Sequence, residues 1–127
     1  MKKTTSHRYA LGRHYEQQAK LFLQKQGLVF VAENVKIRGG EIDLIMRDSD
    51  TWIFVEVRFR QTAQYGDAVA TITQSKCRKL LHTAAVWLYR RNECLETASC
   101  RFDICAITGQ KFEWLQNAFT LNQNLLQ

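Results

Sequence analysis

Residues 39–60, GGEIDLIMRDSDTWIFVEVRFR, hold two β-prone apolar runs separated by Arg47-Asp48-Ser49-Asp50, a polar cluster that reads as a hairpin turn. A turn centred between Ser49 and Asp50 pairs residues whose numbers sum to 99, which sets Asp43 opposite Glu56 and Glu41 opposite Arg58. Ile42, Leu44 and Met46 then share one face with Ile53, Val55 and Val57, and the register predicts an unbroken apolar surface there. The other face carries Glu41, Asp43, Ile45, Phe54, Glu56, Arg58 and Arg60, apolar near the turn and charged away from it. A slip of one residue would destroy this sorting on one strand, so the hydrophobic pattern itself supports the register.

Two carboxylates opposed across a hairpin repel, and covering them with a helix adds a desolvation cost. Two arrangements reconcile them. A divalent ion such as Mg²⁺ or Mn²⁺ takes a few carboxylate oxygens and keeps waters or phosphate in its remaining positions. Alternatively, Glu41 pairs with Arg58 across the strands while Asp43 and Glu56 sit at a wet end of the sheet. The sorting of the faces leaves the two in balance.

Outward from the hairpin, LVFVAENVKI (28–37) is β-rich and enters EIDLIM through Arg38-Gly39-Gly40, a first hairpin whose glycines suit a tight turn. Leu11, Tyr15, Ala19 and Phe22 recur at helical spacing over residues 7–26, and Gly27 suits a helix C-cap. Residues 61–73, QTAQYGDAVATIT, read as a loop. Cys77, Leu80, Leu81, Ala84 and Leu88 then place a second helix over 74–91, with Lys76, Arg78, Lys79, Arg90 and Arg91 on its other faces. CRFDICAIT (100–108) reads as a short buried strand, and residues 122–127 as a fraying tail. The helix, three strands, helix, strand order predicts one mixed sheet with a helix on each face. The last strand lies parallel to the one before the second helix.

The chain of 127 residues is 46% hydrophobic and 24% charged, the balance of an ordinary globular protein forming a single domain over 1–127. Its net charge of +6 favours a polyanionic partner, most often nucleic acid. MKKTTSHRYALGRHYE has two lysines but no apolar segment behind them, and no run is long enough to span a bilayer, so the expected location is the cytoplasm. Cys77, Cys94, Cys100 and Cys105 form no C-x-x-C pair and read as reduced thiols, which argues against a structural zinc. His7, His14 and His82 lack ligand spacing and read as surface or packing residues; Trp52, Trp87 and Trp114 read as core or sheet cover.

G-E-I-D-L-I, a hairpin and F-V-E-V-R-F-R together resemble the core of the PD-(D/E)XK nuclease superfamily, in which an Asp begins one strand and E-x-K follows on the next. G-R-x-x-E-x-x-A in the first helix, S-K-x-x-K-L opening the second and R-F-D-I before the last strand extend the likeness. They resemble the YraN family, whose fold is similar to archaeal Holliday junction resolvases, over roughly residues 9–115. The resemblance implies an α/β, restriction-endonuclease-like α-β-β-β-α-β core, a mixed central sheet flanked by helices. It also implies that Asp43 and Glu56 bind Mg²⁺ or Mn²⁺ and that Glu16 joins them. Glu41 is an extra candidate ligand, with its pairing to Arg58 as the stronger alternative.

Arg58 stands where the superfamily has lysine, and a guanidinium does not give up its proton to assist a base. Arg58 therefore stabilises charge in this reading, while Arg60 and Lys76 are candidates to meet nucleic-acid phosphates, Lys76 being equally readable as an exposed lysine. The expected activity is metal-dependent hydrolysis of DNA, by analogy with the resolvases on branched structures, where a two-fold homodimer is attractive. The alternatives are a nucleic-acid-binding module with little or no cleavage, favoured by Arg58, and a protein-interaction domain docking on an outer strand or on the FEWLQNAF segment.

Overall fold

The structure, a computed structural model, describes residues 2–60 and 72–119, with the backbone alone for residues 2–9. Its elements run α1 (Lys2–Lys25), β1 (Val29–Ile37), β2 (Gly40–Asp48), β3 (Thr51–Arg60), α2 (Gln74–Tyr89), β4 (Cys100–Thr108) and β5 (Lys111–Phe119). Most of the expected loop, residues 61–71, and the expected tail lie outside the described residues.

The strands form one sheet in the order β1-β2-β3-β4-β5. Every pairing is antiparallel except β3 with β4, which run parallel because α2 carries the chain back across the sheet. The α-β-β-β-α-β arrangement is consistent with a restriction-endonuclease-like core, and β5 adds an outer strand that the apolar pattern did not predict. FEWLQNAF is thus part of the sheet, paired with β4 from Phe102–Phe119 to Thr108–Lys111. The β2–β3 register is the expected one near the turn, where Leu44 faces Val55, Ile45 faces Phe54 and Met46 faces Ile53, but the pairing ends at Leu44–Val55, so the expected Asp43–Glu56 and Glu41–Arg58 pairs are not formed. Its turn has Ser49 at φ 57°, and the β1–β2 turn has Gly39 at φ 93°, where a side chain would be strained.

Each helix covers one face. Ala19 and Leu23 of α1 pack with Leu44, Met46, Ile53, Val55, Cys105 and Ile107. Leu80, Leu81, Ala84, Trp87 and Leu88 of α2 pack with Ile45, Phe54 and Phe102 on the opposite face. Thr73 starts α2 by accepting the Lys76 N–H at 3.1 Å, and the helix stops short of the expected Arg91, where Asn92 takes φ 63°. Leu11, expected in the buried stripe of α1, is 39% exposed, because α1 meets the sheet through its later turns.

One expectation about the faces fails. Ile42 does not join Leu44 and Met46 but packs in the α2 cluster with Ile45 and Phe54. The strict alternation is broken one residue away: Asn34 on β1, in the left-handed region at φ 51°, lies between the pairs Glu33–Leu44 and Val35–Ile42. A left-handed residue rotates the strand, so Val35 and Ile42 both turn towards α2. The apolar surface is therefore broken beside Asp43.

Candidate carboxylate site in a fork of the sheet

β2 and β3 pair from the turn as far as Leu44 and Val55. Beyond that point β2 continues along β1 to Gly40, while β3 continues along β4 to Arg60. The two strands diverge and leave a fork. Asp43 fills it: its Oδ2 accepts the Val57 N–H at 2.9 Å, so a side-chain carboxylate stands where the ladder would have placed a backbone carbonyl.

A fork opens the site to both faces of the sheet. Glu16 comes from α1 close to Asn34 and Asp43, while Glu56, buried at 5% exposure, lies beside Asp43 and acts on its charge. Burial pushes the Asp43 carboxyl up from 3.8 to about 8; the Glu56 charge is the next largest cause and Glu16 adds to it, against the Val57 N–H. Glu16 is also raised, by burial first and with the Glu41 charge adding, although Asn34, Arg13 and Asp43 oppose this. Its Oε1 is buried with no hydrogen-bond partner.

Positive charge enters from the α2 side. Lys76 Nζ lies 2.6 Å from Glu56 Oε2, and Arg58 Nε lies 3.5 Å from the same oxygen. Glu56 is thus the acid that the cations meet, whereas Asp43 is surrounded chiefly by other acids. Glu41 faces Lys36 across β1, its charge felt at Glu16. Arg60 turns towards β5, with a terminal nitrogen 3.8 Å from Glu113.

Asp43, Glu56, Glu16, Arg58 and Lys76 therefore converge, and Arg60 is placed against a different strand. The contact of Lys76 with Glu56 was not legible in the sequence; its one signal is a lysine in the first turn of a helix, where the dipole disfavours positive charge. Asn34 was also missed, although asparagine tolerates the left-handed region better than most residues. His14 is exposed and packs edge-on to Tyr15, and His82 is exposed; the side chain of His7 lies outside the described residues. Cys77 and Cys105 are buried, and all four thiols are free.

The donor set suits a hard divalent ion in its chemistry: carboxylate oxygens only, one of them buried without a partner, around an acid whose pKa is raised by burial first and by the Glu56 charge next. It is not a ready-made cage. Among the described residues no group of three or more His, Cys, Asp or Glu is arranged to hold a metal ion. An ion held by two of them would complete its coordination with water.

Among the described residues no helix is long and apolar enough to cross a membrane. Residues 15–107 match the family described as uncharacterised protein family UPF0102. A UPF0102 protein of Photorhabdus laumondii is 72% identical over 123 residues, covering 97% of this chain and 96% of its own. UPF0102 proteins of Yersinia enterocolitica and Pectobacterium carotovorum are 58% and 56% identical, covering 85% and 87% of this chain and 92% and 93% of their own. With the matched segment spanning both helices' sheet contacts and the whole fork, the chain belongs to the UPF0102 family.

Proposed function

We propose that the protein is a PD-(D/E)XK-type nuclease that hydrolyses phosphodiester bonds in DNA with Mg²⁺ or Mn²⁺ held by Asp43 and Glu56 and flanked by Glu16. The observation that carries this reading is the acid row in the fork, where Asp43 is pushed to about 8 while Glu56 is bound on its far side by two cations. Neighbouring carboxyls cost a sheet stability, and a divalent ion between them would offset that cost. The metal would activate water and neutralise charge on the phosphate. Asp43 keeps its orientation through the Val57 N–H. Lys76 brings from α2 an ammonium where β3 has Arg58, its Nζ 2.6 Å from Glu56 Oε2, and would orient that carboxylate for the metal. Arg58 stays charged and stabilises the phosphate oxygens.

Junction, flap and single-stranded DNA incubated with the protein and Mn²⁺ test the reading, alongside calorimetric titration of Mn²⁺. Cleavage and heat of binding should both disappear in Asp43→Asn. A wild-type protein that cuts none of these substrates and takes up no Mn²⁺ would refute it.

A second reading is a nucleic-acid-binding module with little or no cleavage. The observation that favours it is the contact of Lys76 with Glu56, which already satisfies one of the two acids without a metal. DNA binding that survives Asp43→Asn, with no metal-dependent products from wild type, would select this reading.

A further inference from the structure

Beside the fork lies a cleft of about 660 Å³ whose walls come from the β1–β2 turn and the start of α2. The turn side contributes Lys36, Gly39, Gly40 and Glu41, and the helix side contributes Thr73, Ser75, Lys76 and Lys79. Three lysines thus face one carboxylate. The first turn of α2 adds its own positive end and contains no acidic residue. Lysines lining one cleft beside a helix N-terminus favour an anion there.

The close approach of the two walls is built in. A Cβ on Gly40 would fall 2.8 Å from the Lys79 carbonyl oxygen and nearer still to the Thr83 hydroxyl, so only glycine lets the turn meet the helix there. Thr83, fully buried, fixes that carbonyl by donating to it at 2.8 Å. Lys76 joins the cleft to the acids, since it lines the one and contacts Glu56 of the other.

We infer that this cleft anchors the sugar-phosphate backbone of a nucleic-acid strand next to the carboxylates, with Lys36 and Lys79 each meeting a phosphate. The inference takes from the proposed function only that the substrate is a nucleic acid. Glu41, at the cleft's edge towards Glu16, repels the strand and keeps its phosphates on the lysine side.

The test is fluorescence anisotropy of a labelled single-stranded oligodeoxynucleotide, in EDTA so that divalent ions play no part. The Lys36→Glu/Lys79→Glu double variant changes two exposed side chains and should fold as wild type, checked by circular dichroism. Its Kd should rise about tenfold or more, and its slope of log K against log salt should flatten by about 1.4, the loss of two phosphate contacts on a single strand. Glu41→Gln should tighten binding. Equal Kd and slope in the double variant and wild type would overturn the inference. So would a wild type that binds no DNA at low salt, or one that binds a mononucleotide as tightly as the oligonucleotide. Lysine-dependent binding without any cleavage would sustain this inference while the nuclease reading fails.

Discussion

Two aspartates in the same sheet illustrate the difference between a carboxylate that builds a protein and one that is available to do chemistry. Asp103 on β4 is 1% exposed and accepts hydrogen bonds from Arg101 Nε at 3.0 and 3.2 Å, the Trp114 indole N–H at 2.8 Å and the Asn117 backbone N–H at 2.9 Å. Asp43 on β2 accepts one backbone N–H and otherwise meets Glu16 and Glu56. Both positions are irregular: the β4–β5 register shifts between Phe102 and Ile104, and Asn117 on the neighbouring strand takes φ 52°, much as Asn34 does beside Asp43 at φ 51°. The local backbone device is alike, and what fills the gap differs. Donors crowd round Asp103, so its charge is settled; acceptors crowd round Asp43, so burial and the Glu56 charge hold its carboxyl up at about 8.

The sharpest way to break this comparison is to remove the settled acid. Asp103→Ala leaves Arg101, Trp114 and a backbone N–H without their acceptor and should destabilise the protein by about 3–5 kcal/mol, measured by urea denaturation. A loss as small as that of a surface substitution would mean that the donors find other partners.

Asp43→Asn should do the reverse. The folded-state carboxyl is raised from 3.8 to about 8, so between those values the native state binds more protons than the unfolded chain, and wild-type stability falls as pH rises through that window. An amide has no such titration. In EDTA the variant should be more stable than wild type by about 2 kcal/mol at pH 7, an advantage that vanishes towards pH 4. A pH-independent difference would show that Asp43 and Glu56 do not compete for charge.

A smaller effect tests one donor at a time. Trp114→Phe keeps the ring and removes the indole N–H from Asp103, with an expected cost of about 1–2 kcal/mol by thermal denaturation. Smallest of all are the two left-handed asparagines. Asn117→Ala should cost about 1 kcal/mol and Asn117→Gly should recover most of it. Asn34→Gly should spare the backbone but remove the side chain that holds Glu16, so it should shift the pH dependence rather than the stability at low pH.

Much of this was legible along the chain. The alternation in EIDLIM and TWIFVEVRFR rules out a one-residue slip, and the polar turn between them points to the Leu44–Val55 register. β5 escaped notice because an outer strand with Glu113 and Asn117 among its residues shows no clean apolar period. The swing of Ile42 to the α2 face escaped for a different reason: it depends on one left-handed residue on the adjacent strand. Asp103 carried a signal, a charged residue inside an apolar strand, but nothing local says whether donors or acceptors will surround it.

The sequence by itself determined the hairpin register, the parallel return of β4 and the presence of acids where core residues would otherwise stand, since these follow from periodicity and turn chemistry within short stretches of chain. Only the tertiary structure decided that β2 and β3 part at Asp43, that Glu16 arrives from one face and Lys76 from the other, and that donors enclose Asp103. Those outcomes depend on how two helices are rotated and seated on the sheet, which is set by packing between segments far apart in the chain and leaves no periodic trace in either one.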